Sequence, residues 1–266
     1  MSTAVPAHPS VFRLWPHRIA RFYWRPNRDL AAVGVSWVLV VAALYTATFV
    51  IGRQAVGGLA YFGMYALVGA VGCGIAIPLV WTVAVRRRPV SDLGITREAL
   101  APSLLLQVLF AGLLFVAISP NFAAADLASL APLVALALCI GFFEAVFWRG
   151  WVLRRLEDSF GLLPAILVGS ALYAAYHIGY GMGTGEIASL FFIGIMFSLA
   201  FSLTNSVFIL WPLFQPLGQL VTLVRDGLDL PLLAALGFLE ALALMWLLIY
   251  LAQRYYRRNI EQAAAG

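Results

Sequence analysis

Apolar residues in this chain fall in long unbroken blocks, and polar residues collect in the short gaps between them. Eight apolar runs can be drawn, over residues 30–51, 59–85, 99–118, 130–153, 162–179, 187–203, 207–224 and 232–251. A helix needs about 20 apolar residues to cross the hydrocarbon of a bilayer. The pattern therefore predicts an all-α, polytopic bundle of about eight transmembrane helices. Only Thr204, Asn205 and Ser206 separate the sixth run from the seventh, so that hairpin is tight.

Composition agrees with lipid as the solvent. Hydrophobic residues make up 63% of the 266 and charged residues 11%, whereas a soluble domain carries about a quarter charged residues. Mean hydropathy is +0.93. The predicted division is a basic, aromatic interfacial tail over residues 1–28, a bundle over 29–253 and a cytoplasmic tail over 254–266. The first segment, with Arg13, Trp15, Arg18, Arg21, Trp24 and Arg28, reads as a surface-lying tail rather than a cleavable signal, and Pro16 argues against one continuous helix there.

The net charge of +5 raises nucleic acid as a partner, but the basic residues stand at the ends of apolar runs. They read instead as topology signals and contacts to lipid headgroups, and no nucleic-acid partner is expected. All 17 are arginines, which together with abundant alanine points to a GC-rich bacterial genome. With the N-terminus inside, 14 arginines fall in inside segments and two, Arg53 and Arg225, outside; Arg149 lies within a run. That bias predicts a multi-pass protein of the bacterial cytoplasmic membrane with both termini cytoplasmic. Residues 86–98 (RRRPVSDLGITRE) form the clearest cytoplasmic loop. Cys73 and Cys139 lie inside apolar runs and read as small hydrophobes.

In such a bundle the informative residues are ionisable groups inside the runs, because lipid makes them costly. Four stand out: Glu144, Arg149, His177 and Glu240. Glu144 is a candidate general acid/base. Arg149 reads as its neighbour in a polar site or as a side chain snorkelling to the interface, since Arg154 and Arg155 follow. His177 reads as a structural hydrogen bond to a neighbouring helix, or as a base paired with Glu144 across the fourth and fifth runs. Tyr173, four residues earlier, shares its face. Glu240 reads as a structural hydrogen bond or a slightly shifted span. In the seventh run Gln215 and Gln219 are four apart, and Pro212 and Pro216 remove backbone donors and kink or break the helix. Freed carbonyls at membrane depth need protein or a water cavity beside them, so this run is expected to border an internal polar site.

These residues resemble the motifs of the CPBP family of intramembrane proteases, which includes type II CAAX prenyl endopeptidases and bacteriocin-processing and self-immunity proteins. The stretch Glu144-Ala-Val-Phe-Trp-Arg149-Gly150 resembles the family's EExxxR motif, and Tyr173-Ala-Ala-Tyr-His177 its FxxxH motif. SDLGI in the 86–98 loop and the Thr204-Asn205-Ser206 turn also look like family text, so the resemblance covers about residues 90–225. It implies that Glu144 and His177 activate a water for peptide hydrolysis, and that a third motif, HxxxN, binds the developing oxyanion.

Two departures matter. Ala145 stands where the family has a second glutamate, so Arg149 loses a carboxylate four residues before it. The third motif has no histidine; Phe214 and Gly218 fall at its positions, or, one residue on, Gln215 and Gln219, whose amides can donate to an oxyanion. The resemblance implies a glutamic-type intramembrane endopeptidase acting on a membrane-associated protein or peptide. A catalytically inactive relative that binds a partner in a maturation or immunity system is the alternative, and a small-solute transporter a further one. Zinc would need three or four ligands, and the runs offer only Glu144 and His177, so no metal or other cofactor is expected.

Overall fold

The computed structural model describes residues 21–52, 58–118, 127–261 and 263. Arg13, Trp15, Pro16, Arg18 and Arg53 lie outside the described residues, and with them most of the expected interfacial tail. Helix α1 (Arg28–Tyr45) starts at Asn27, whose side chain accepts from the Asp29 amide at 2.7 Å, and runs on in wide turns to Ile51. Helix α2 occupies Leu59–Val85, α3 Leu100–Ile118 and α4 Leu127–Glu144. The α4 rod continues through i→i+5 turns over Ala145–Leu153 into Arg154–Phe160. Helix α5 (Leu162–Tyr176) ends in a tight turn His177–Tyr180, and α6 is Thr184–Thr204. Helices α7 (Phe214–Arg225) and α8 (Leu233–Tyr256) follow. Among the described residues there is no strand.

Seven of the eight runs form helices long and apolar enough to cross a membrane. Their outward faces carry side chains such as Leu105 (73% exposed), Val116 (72%) and Leu233 (74%), which only lipid could cover without cost. The chain is a multi-pass membrane protein. The seventh run departs from a continuous span. Asn205 adopts a left-handed conformation and ends α6, a short 3₁₀ turn covers Val207–Ile209, and helix resumes only at Phe214. Twelve residues of α7 reach about 18 Å, short of a full crossing.

One end of the bundle is locked by ions. Asp29 is buried and accepts from Trp81 Nε1 and Arg86 Nε, both at 2.6 Å. Arg155, 1% exposed, pairs with Asp92 and, at 3.2 Å, with Asp158. Asp92 and Asp158 also hold the Arg88 guanidinium above its ordinary pKa. The 86–98 loop rests directly on α4 because Gly150 has no side chain: a Cβ there would lie 2.1 Å from the Leu93 carbonyl oxygen. The next residue in that loop, Gly94, accepts from the Val207 amide at 3.0 Å. Thus SDLGI and the turn after α6, far apart in sequence, are in direct contact. The last helix, α8, packs against a 3₁₀ turn of this loop, Val90–Leu93.

Candidate active site

Glu144 sits where the α winding of α4 gives way to wide turns. At 3.6 residues per turn, positions five apart point about 140° away from each other. Turns closed by i→i+5 bonds bring such positions nearly into line. Glu144 and Arg149 accordingly reach the same ring: Tyr173 donates to Glu144 Oε2 at 3.4 Å, and the Arg149 guanidinium lies 4.6 Å from the Tyr173 ring centroid.

The Glu144 carboxyl is 2% exposed and is met from two further helices. From α5, Tyr176 donates to Oε1 at 2.5 Å. From α7, Gln215 Nε2 donates to Oε2 at 2.6 Å and Gln219 Nε2 at 3.0 Å. Helix α7 approaches α4 this closely because Gly141 faces it; a Cβ there would stand 2.8 Å from Pro216 Cγ. Of the two registers open for this segment, Gln215 and Gln219 face Glu144, while Phe214 packs between Phe110 and Phe197. Gly218 lies beside Leu114.

The expected direct pairing of His177 with Glu144 is not present: among the described residues no hydrogen bond joins them. The reason is local. Helix α5 ends at Tyr176, and the His177 ring turns back so that Nδ1 lies 2.9 Å from the Tyr173 carbonyl oxygen. A carbonyl only accepts, so Nδ1 carries the proton and Nε2 keeps the lone pair. The imidazole lies tilted against the ring of Tyr176, centroids 4.1 Å apart, one side chain away from Glu144. Tyr180 extends the cluster by donating to Tyr65 Oη at 2.9 Å.

Arg149 does not snorkel. It is 1% exposed, donates through Nη2 to the Gly194 carbonyl at 3.3 Å, and lies over the rings of Tyr173 and Phe197. Its Nε and Nη1 have no hydrogen-bond partner among the described residues. Beside it, Ala145 is fully buried and offers no carboxylate. Glu240, read as a structural hydrogen bond or a slightly shifted span, stands exposed on α8, and no hydrogen bond to it occurs among the described residues. No group of three or more His, Cys, Asp and Glu side chains that could hold a metal ion occurs among the described residues.

Two contributors escaped the sequence reading. Tyr176 was legible only as part of a tyrosine series, 173, 176 and 180, at helical spacing. Gln107, in the middle of α3, is 2% exposed and supports the broken seventh run. Its Nε2 donates to the carbonyls of Phe208 (2.7 Å) and Trp211 (3.2 Å), and its Oε1 accepts from the Leu213 amide. A lone amide in an apolar run was the signal.

Residues 126–214 match the family model described as Type II CAAX prenyl endopeptidase Rce1-like. That stretch, about a third of the chain, is similar to this family's model. The match holds Glu144, Arg149 and His177 and stops one residue short of Gln215. No curated protein and no solved structure matches the chain. Glu144 is thus held by phenols of α5 within the matched stretch and by amides of α7 just beyond it.

Proposed function

We propose that the chain is an intramembrane endopeptidase in which Glu144 activates water against a peptide bond of a membrane-associated protein or peptide. The observation that carries this reading is the convergence of four side-chain donors, from α5 and α7, on one buried carboxyl of the CPBP core. Glu144 as the base takes a proton from water as the water oxygen bonds to the substrate carbonyl carbon. The carbonyl oxygen becomes an oxyanion. Each glutamine amide has two N–H donors, so Gln215 and Gln219 hold Glu144 with one and present the other to that oxyanion. Glu144 then passes its proton to the leaving nitrogen as the C–N bond breaks. His177 Nε2 is a second acceptor at the site. The buried Oε1 atoms of Gln215 and Gln219, which have no partner among the described residues, would accept from the water or from substrate N–H groups.

A second reading rests on the same amides. With Ala145 in place of a carboxylate and both glutamines spent on Glu144, the core would bind a membrane partner without cleaving it. The deciding experiment uses purified protein in lipid with a library of membrane-tethered peptides, new termini being read by mass spectrometry. Wild type is compared with Glu144→Gln and His177→Ala. Cleavage lost in both, with thermal unfolding unchanged, is the expected result. Cleavage that survives Glu144→Gln would sink the mechanism, and intact peptides throughout the library would favour the binding reading.

A further inference from the structure

The Glu144 carboxyl is enclosed midway along a membrane span, yet a carboxyl that works as a base has to exchange its proton with water. Passage of a proton out of such a site needs a group that both donates and accepts, bonded to the carboxyl and to a further group of the same kind. Arg149 does not qualify, because a guanidinium has no acceptor and does not lose its proton. The Gln215 and Gln219 amides meet Glu144 through nitrogens that only donate. The His177 ring is turned away, with Nδ1 on the Tyr173 carbonyl. Two phenols remain, Tyr173 and Tyr176, since a hydroxyl donates and accepts at once. Tyr173 lies toward Arg149, and no hydrogen bond leads onward from its hydroxyl among the described residues. Tyr176 does continue. The Tyr180 ring, one turn further on, stands 5.9 Å from the Tyr176 ring, and the two side chains make a looser hydrogen-bonding contact. Tyr180 in turn donates to Tyr65 Oη at 2.9 Å.

We infer that Tyr176, Tyr180 and Tyr65 form a proton path between Glu144 and water at the end of the bundle opposite the ion pairs of Asp29 and Arg155. Tyr180 is the last residue of the α5 span and is half-buried, and the chain beyond it is exposed at Gly181, Gly183 and Thr184. Tyr65 is half-buried too, six residues inside the start of α2, about 9 Å along the axis. The series thus runs from an enclosed carboxyl to the end of a span. Loading proceeds from hydroxyl to hydroxyl. Tyr176 gives its proton to Glu144 Oε1 as it takes one from Tyr180, Tyr180 is refilled by Tyr65, and Tyr65 by water. Each phenol is neutral again afterwards, and one proton has moved from water to the carboxyl. Release runs the same steps backwards. No phenolate is left inside the bundle, where a lone charge is costly. The other titratable or charged groups around Glu144 are Arg149 on its own rod and Tyr173 and His177 from α5 and its turn, while α7 brings amides only. Ionisable groups inside membrane spans commonly mark such relays. The path concerns the proton of Glu144 alone and is read without cleavage, so its failure and that of the peptidase reading are separate results.

The test is a pH jump on the full chain in lipid nanodiscs, with the Glu144 carboxyl followed by time-resolved infrared spectroscopy. Its band is assigned as the one missing from Glu144→Gln. A residue on the path sets the rate of proton exchange and leaves the midpoint of the titration where it was. A residue that only holds the structure shifts the midpoint instead. Tyr180→Phe and Tyr65→Phe keep their rings and remove hydroxyls that make no hydrogen bond to Glu144. Each is expected to slow exchange by about 10²-fold at an unchanged midpoint. Tyr173→Phe removes a hydroxyl that does bond Glu144 and is expected to keep the wild-type rate. Wild-type rates in Tyr180→Phe and Tyr65→Phe would overturn the inference. So would an equal slowing by Tyr173→Phe, a shifted midpoint at an unchanged rate in the two path variants, or a wild-type Glu144 band that does not respond to pH.

Discussion

Gln215 donates to Glu144 Oε2 at 2.6 Å across 71 residues of chain, joining a half-length helix to the middle of the most buried one. A broken segment thereby presents side-chain amides to a carboxyl that lipid would otherwise isolate. Under the proposed mechanism Gln215→Leu should lower kcat by about 10²–10³, the usual effect of removing one oxyanion donor. Phe214→Ala should instead lower stability by about 3 kcal/mol through lost packing. Side-by-side cleavage and unfolding assays separate the two registers. Equal kcat losses at 214 and 215 would contradict the assignment.

Tyr176→Phe keeps the ring and deletes the O–H that donates to Glu144 Oε1. A buried charge-assisted hydrogen bond contributes about 1.5–3 kcal/mol. Unfolding in lipid should show a loss of that order, together with reduced cleavage. An unchanged melting temperature would mean that the phenol does not hold the carboxyl.

Gln107→Leu is nearly isosteric, yet it leaves the carbonyls of Phe208 and Trp211 and the Leu213 amide without their side-chain partner. Each unsatisfied group costs about 1–3 kcal/mol. Hydrogen exchange should speed up over residues 207–217 and leave α1 and α8 unaffected. Uniform exchange across the whole chain would show global loosening instead.

Two buried arginines should respond differently. Arg155 is paired with the half-buried Asp92 and the exposed Asp158, and Asp92→Asn should destabilise by about 1–3 kcal/mol because it weakens a charge-assisted bond to a buried guanidinium. Arg149 makes one long hydrogen bond and no ion pair among the described residues. Arg149→Met should therefore change stability by less than about 2 kcal/mol. Thermal unfolding of the two variants gives the comparison, and a larger loss at 149 would be inconsistent with this account.

Gly150→Ala places a methyl 2.1 Å from the Leu93 carbonyl oxygen, against backbone rather than a flexible side chain. The 86–98 loop must shift, at a cost of about 3 kcal/mol or more. A lower melting temperature with proteolysis in the loop is expected.

What could be read before folding follows from short-range rules. A run of about 20 apolar residues spans, and an ionisable residue within a run has to find a polar site. Those rules marked α1–α6, α8, Glu144, Arg149 and His177. The pair Pro212 and Pro216 marked the seventh run as kinked or broken. Local spacing could also narrow the amides to two registers.

Partner choice is different. That Tyr176 rather than His177 touches Glu144 depends on where α5 stops and on the His177 ring bonding back to Tyr173. That Gln215 and Gln219 face the carboxyl depends on the approach of α7 over Gly141 and on Gln107 fixing the break. That Glu240 points away from the bundle depends on the rotation of α8 about its axis. Length and hydropathy decide that a segment spans, because each segment meets lipid on its own. Facing, depth and hydrogen-bond partners are set only when the helices pack, since they depend on rotations and close approaches between segments far apart in the chain.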